Sequence, residues 1–216
     1  MFILNVLFYF VSQSTFYMNK DKALESVFEI KELMEKSSKF ISVSGLAAIL
    51  AGIYALAGAY IATQVITSDM YLSDTLKLMA IIAMAVLAAA AVTAGILSYC
   101  KSQKTGQSFF SRLTYRALWN FSLPMLTGGI VCISILMHEY YDILASVMLL
   151  FYGLALVNAS KFTYSSVAWL GYAFICLGAV DCFWAGHSLL FWTIGFGGFH
   201  ILYGILFYLH YERKKS

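Results

Sequence analysis

The sequence is poor in charge, in proline and in closely spaced cysteines. Of its 216 residues, 12% are charged, one is proline and four are cysteines scattered along the chain. Scattered cysteines exclude a disulfide scaffold, and a net charge of +3 is small for a nucleic-acid-binding domain, so we expect no nucleic acid as a partner. The chain is 61% hydrophobic, which excludes a soluble globular domain and a disordered chain and predicts a polytopic membrane protein.

The motifs of several enzyme classes are also missing from the sequence. It contains no G-x-x-x-x-G-K-[ST] phosphate loop, no H-E-x-x-H zinc motif and no G-x-S-x-G nucleophile turn. A pair of membrane haems needs four histidines at matched depths, and His187 and His200 lack two matching partners. We therefore predict no cofactor and favour a non-enzymatic protein.

Six apolar runs, five of them without any charged residue, are long enough, or nearly long enough, to cross a bilayer. A helix that rises 1.5 Å per residue needs roughly 20 apolar residues to cross a core of about 30 Å. The runs are residues 40–66, 78–99, 117–137, 143–160, 164–184 and 188–209, of which the fifth carries one acidic residue near its far end. The predicted fold is all-α, a six-transmembrane-helix bundle over residues 40–209.

The basic residues indicate the orientation of this bundle. Thirteen of the 14 lysines and arginines lie before the first run, in the second and fourth connections between runs, or after the last run. The first, third and fifth connections contain only Lys77. Basic side chains resist translocation across the membrane, so both termini are predicted to be cytoplasmic. Residues 210–216 form the basic cytoplasmic tail.

The residues before the first span divide into two parts. Residues 1–17 are predicted to be an upstream lead or a mis-start ahead of Met18, because residues 1–11 are apolar but too short to span; an interfacial segment is the alternative. Residues 18–39 are predicted to form a cytoplasmic amphipathic helix, since Ala23, Val27, Ile30 and Met34 share one stripe.

Stripes of small or polar residues mark the faces that we expect to pack inward. Small residues follow three-four spacing in the first two spans (Gly45, Ala48, Gly52, Ala55, Ala59 and Ala62; then Ala88, Ala91, Gly95 and Ser98). Polar residues follow the same spacing on the third span (Asn120, Thr127 and Ser134, with Pro124 and His138) and on the sixth (Thr193 and His200, between glycines).

The two polar stripes predict a seam between the third and sixth spans. Pro124 frees a backbone carbonyl near Asn120, so a kink or local unwinding is expected there. His200 is the only deep ionisable group. It is either a satisfied interior imidazole bonded to Thr127, Asn120 or the freed carbonyl, or a group that accepts a proton or contacts a substrate.

A second candidate site lies at the outer ends of the spans. Two histidines and three carboxylates are predicted on that side: His138, Glu139, Asp142, Asp181 and His187. Such side chains bind zinc and other divalent ions, although their spacing matches no recognised metal motif.

The stretch from Glu29 to Gly45, EIKELMEKSSKFISVSG, runs directly into the small-residue stripe of the first span. It resembles the opening of a family of uncharacterised six-span bacterial membrane proteins, and the likeness is most specific over residues 25–60. The resemblance implies Met18 as the start and the bacterial inner membrane as the location. It implies no activity.

These observations leave two functional hypotheses at nearly equal weight. The first is a non-enzymatic binding or accessory protein for a partner, a lipid or a small amphiphile, with the N-terminal helix and the basic connection around residues 101–116 as the docking surface. The second is a small-solute transporter or exporter that uses the seam of Asn120, Thr127, Ser134, Thr193 and His200. A metal-dependent hydrolase is a distant third hypothesis. All three hypotheses have the lipid bilayer as a partner, and each is compatible with an oligomer.

Overall fold

The computed structural model describes residues 22–28, 44–104, 108–184 and 186–213. Within these ranges the ordered elements are all helical. The main helices are α1 (Gly45–Ile66), α2 (Leu72–Lys104), α3 (Arg112–Met137), α4 (Leu144–Ser160), α5 (Ser166–Asp181) and α6 (Ser188–Glu212). Residues 22–28 are also helical and belong to a separate unit, residues 1–39. The rest of the predicted amphipathic helix, and the predicted lead of residues 1–17, lie outside the described residues.

Five of the helices are long and apolar enough to cross a membrane. They are α1, α2, α3, α4 with the turn before it (Tyr141–Ser160), and α6. The fifth predicted span forms a shorter apolar helix, because α5 ends at Asp181 after 16 residues. A helix of this length spans about 24 Å, less than the core of a typical bilayer. The all-helical membrane fold is confirmed, and the sixth crossing stays a prediction.

Glycines bring α1 and α6 into backbone contact. A Cβ on Gly45 would lie 2.8 Å from the carbonyl oxygen of Gly204, and a Cβ on Gly52 would lie 2.7 Å from that of Gly197. Small residues permit this approach, which is the main source of helix association where lipid supplies no hydrophobic drive. The small-residue stripe of the first span therefore packs inward, as its spacing predicted.

The pair α4 and α5 uses the same device. A Cβ on Gly153 would lie 2.7 Å from the carbonyl oxygen of Gly171, and a Cβ on Gly171 would lie 2.8 Å from that of Gly153. Around this contact lies the apolar core, in which Leu149 and Phe174 are fully buried. α3 packs on the other side of α4, and α6 contacts α4 and α5 as well as α1.

The helix α6 is not uniformly α-helical. Its segments Thr193–Phe199 and Tyr208–Glu212 are π-helical, and the α-helical segment His200–Phe207 lies between them. The first π-helical segment contains three glycines and ends directly before His200. A π-helical turn contains about one residue more than an α-helical turn, and such segments are frequent at functional sites.

The helix α3 remains continuous through Pro124, so the local unwinding expected near Asn120 is not found. Side chains on both sides of the proline bond to their own helix. Asn120 donates to the Arg116 carbonyl at 2.9 Å, and Thr127 donates to the Leu123 carbonyl at 2.9 Å. These bonds occupy polar groups around the interrupted backbone ladder.

Most of the small-residue stripe of α2 does not pack against another described helix, contrary to expectation. α2 contacts α1 through Val86, which lies against Gly58, and through Thr93, whose hydroxyl is 3.3 Å from that of Tyr54. Gly95 lies nine residues after Val86. At 3.6 residues per turn this is two and a half turns, so the two residues lie on opposite faces of α2. Ala88, Ala91 and Gly95 therefore point away from α1 and are exposed.

The glycine contacts predict which substitutions the fold tolerates. Gly153→Val should lower the free energy of unfolding by about 1–3 kcal/mol, because its side chain overlaps the Gly171 carbonyl and Ile175. Gly198→Val is the matched control, since nothing lies within 4 Å of a Cβ at Gly198. Thermal and chemical unfolding in detergent micelles would measure both; equal losses would contradict the packing described.

Candidate functional site

The predicted seam between the third and sixth spans does not assemble. Thr127 and Ser134 are exposed on α3, and Asn120 is half-buried with its amide nitrogen bonded to its own helix. α3 instead buries Ala117, Gly128 and Ile135, and a Cβ on Gly128 would meet the side chain of Phe151 in α4. Because this face is held by α4, the polar residues turn away from His200. On α6, Thr193 bonds back to the Leu189 carbonyl at 2.6 Å.

His200 faces the interior, and its partner is a residue that the sequence did not single out. Its Nε2 lies 2.6 Å from the hydroxyl of Tyr152 on α4, and the imidazole is 7% exposed. The expected partners, Asn120, Thr127 and the carbonyl near Pro124, are not the ones used. Tyrosine is common in this sequence, so no signal in the sequence marked Tyr152.

Aromatic rings enclose the Tyr152 and His200 pair. Phe174 lies 5.3 Å from the His200 ring, Phe196 stacks on it at 6.2 Å, and Phe121 of α3 meets Tyr152 edge-on at 5.9 Å. His200 Nδ1 is also buried and faces the backbone of Gly195 and Phe196 in its own helix. The pair is thus a closed polar contact inside an apolar cluster.

A second buried polar contact lies near the start of α4. Asp181, at the end of α5, is 2% exposed and accepts a hydrogen bond of 2.7 Å from the Ser146 hydroxyl. Its second oxygen, Oδ1, is buried without a partner among the described residues. This contact fixes the short helix α5 against the first turn of α4.

The five residues of the predicted metal site have separate surroundings. Asp181 pairs with Ser146, His138 Nδ1 lies 2.8 Å from the Ser134 carbonyl, and the Asp142 carbonyl accepts a bond from Ser188 at 2.7 Å. Glu139 has a positive φ of 62° and is exposed, and the His187 ring lies 6.2 Å from that of Trp184. Among the described residues, which include all five, no three His, Cys, Asp or Glu side chains are placed to hold a metal ion.

At the end of the bundle where α6 finishes, one carboxylate links three helices. Glu212 Oε1 accepts from Lys101 Nζ at 2.6 Å and from the backbone N–H of Gly45 at 3.2 Å. Lys101 also lies 5.4 Å from the centroid of the Phe207 ring. The start of α1, the end of α2 and the end of α6 therefore lie side by side.

The surface of Ala88, Ala91 and Gly95, called the α2 surface below, is a small-residue face without a neighbouring helix among the described residues. The most apolar 18-residue window of α2 contributes no buried residue, whereas that of α4 is 44% buried. A Cβ at Gly95 would meet nothing within 4 Å. Within the described part of the chain, no helix covers the α2 surface.

Comparison with family models, with curated proteins and with solved structures finds no match. The resemblance over residues 25–60 therefore stays a prediction.

The buried pair predicts a measurable coupling. Tyr152→Phe should lower the free energy of unfolding by about 1 kcal/mol, because it leaves His200 Nε2 without its partner. Tyr172→Phe, at a tyrosine that is 48% exposed, should change stability little. In a His200→Phe background the Tyr152→Phe cost should largely vanish in the same unfolding assay; an unchanged cost would mean that the two side chains are not coupled.

Proposed function

We propose that this chain is a non-enzymatic accessory protein of the membrane that binds a transmembrane helix of a partner on the α2 surface. The observation that carries the proposal is the exposure of Ala88, Ala91 and Gly95 on a 33-residue helix that, within the described part of the chain, packs mainly against α1. Small residues at three-four spacing are the usual contact surface between membrane helices, because they allow close backbone approach.

The geometry supports binding better than transport. A transport route along the predicted seam needs Thr127 and Ser134 inside the bundle, and both are exposed on its outside. The deep histidine is closed in by Tyr152, Phe174 and Phe196. Hydrolysis by a metal ion is supported still less, since no three candidate ligands among the described residues converge.

Photocrosslinking from α2 tests helix binding. A photoreactive amino acid at Met84, which is 63% exposed and lies on the α2 surface side, should crosslink to a discrete protein in membranes. The same residue at Leu202, 58% exposed on α6, should crosslink only to lipid. Gly95→Leu should abolish the protein crosslink by filling the contact surface, whereas Gly198→Leu should leave it unchanged.

Membranes reconstituted with this chain alone separate two kinds of partner. A crosslinked product of doubled mass identifies a second copy, and a product seen only in native membranes identifies another protein. Absence of any discrete product at Met84, or an undiminished product in Gly95→Leu, would contradict helix binding at the α2 surface.

We also propose six crossings of a bacterial inner membrane with both termini cytoplasmic. Two contacts support an even number of crossings: Glu212 at the end of α6 binds Gly45 at the start of α1, and Gly178 of α5 lies beside Ser146 of α4. The first contact joins the start of the first helix to the end of the last helix, so both lie on the same side of the bundle. The second contact joins the end of α5 to the start of α4, so α5 runs antiparallel to α4. The distribution of basic residues supports the cytoplasmic side.

Cysteine labelling tests this topology. In a chain whose four native cysteines are replaced by alanine, Phe183→Cys after α5 should react with a membrane-impermeant maleimide on intact cells. Lys161→Cys before α5 should react only after the membrane is permeabilised. Reaction of both from the same side would show that α5 does not cross.

A further inference from the structure

A shallow, open cavity of about 260 Å³ lies along one face of α3 near its start, and its lining comes from this helix alone: Tyr115, Arg116, Trp119 and Asn120. These residues are neighbours because positions three and four apart share one face of a helix. Tyr115 and Trp119 are 69% and 59% exposed, so no other described helix covers the cavity. It combines one guanidinium, one amide and two aromatic rings with polar edges.

The positive charge of this cavity has no acidic partner among the described residues. Arg112 lies one turn before Arg116 on the same exposed face, and neither guanidinium forms an ion pair among the described residues. Glu212, the acid at this end of the bundle, is already bound to Lys101. The cavity and its rim therefore present two arginines that an external anion can reach.

The position of the cavity matches the boundary of a bilayer. The uncharged run of residues 117–137 begins directly after Arg116, so this arginine lies at the level of the lipid head groups when α3 crosses the membrane. Tyrosine and tryptophan favour the same level. Below the cavity, Leu123 and Ile130 continue the face and are 56% and 70% exposed.

We infer that this cavity binds an anionic phospholipid, with Arg116 and Arg112 contacting the head-group phosphate and Trp119 lying over the upper part of an acyl chain. Arginine binds phosphate oxygens in a bidentate manner, and basic pockets at the membrane surface select anionic head groups. The apolar face through Leu123 and Ile130 accommodates the chain of the lipid. This site is on α3 and is independent of the proposed helix binding on α2.

Native mass spectrometry of the full chain in mild detergent tests the inference. With equal amounts of phosphatidylglycerol and phosphatidylethanolamine of identical acyl chains, the wild type should retain the anionic lipid preferentially. Arg116→Gln should reduce this preference about fivefold, and Arg112→Gln with Arg116→Gln should abolish it. Lys161→Gln, which removes one exposed charge between α4 and α5, is the matched control and should preserve the preference.

Three outcomes would overturn the site. They are equal retention of the two lipids by the wild type, an unchanged preference in the double arginine variant, and an equal loss in Lys161→Gln, which would reflect net charge alone. Unfolding measurements should show the arginine variants to be as stable as the wild type, because both side chains are exposed.

A soluble anion is distinguished from a lipid by competition. Inorganic phosphate added at constant ionic strength should leave the lipid preference intact, because it lacks the chain contacts along α3. If phosphate removes the preference, the cavity binds a free phosphate group and the lipid inference fails. Quenching by brominated lipid provides a second readout in vesicles, in a variant whose other three tryptophans are replaced by phenylalanine. Trp119 should be quenched more by the anionic than by the zwitterionic lipid, and equal quenching would count against the site.

Discussion

The close approach of glycine backbones is the constraint on which the rest of the bundle depends. Lipid chains are as apolar as leucine side chains, so apolar burial does not drive membrane helices together. In this chain Gly45 and Gly52 bring α1 against α6, and Gly153 and Gly171 bring α4 against α5. α6 thus packs against α1 on one side and against the α4 and α5 pair on the other. This position places His200 beside Tyr152.

The interior polar groups follow from this arrangement rather than create it. α4 supplies both partners, Tyr152 for His200 and Ser146 for Asp181, at two levels of the same helix. A polar group in an apolar interior is costly unless it is hydrogen-bonded, so each contact fixes the register of the helix that it joins to α4. The single carboxylate of Glu212 plays a comparable part at one end of the bundle, where it joins α1, α2 and α6.

The two helices outside this core, α2 and α3, present surfaces that no other described helix covers. α2 turns small residues outward, and α3 turns outward two arginines and two aromatic residues near its start. A protein that functions through contacts in the membrane needs surfaces of this kind, whereas an enzyme or a transporter needs an interior site. The proposed functions therefore concern the periphery of the bundle, and the buried His200 is enclosed by Tyr152 and Phe174 in its interior.

The sequence by itself determined the helices and much of their facing. Apolar runs of sufficient length predict spans, and small residues at helical spacing predicted the inward face of α1; His200 was correctly expected inside. Only the tertiary structure decided which neighbour each face meets: Tyr152 for His200, Ser146 for Asp181, and no described helix for Ala88, Ala91 and Gly95. Periodicity describes one helix at a time. In a chain that is apolar on almost every side, lipid-facing and protein-facing surfaces look alike in sequence, and only helix packing separates them.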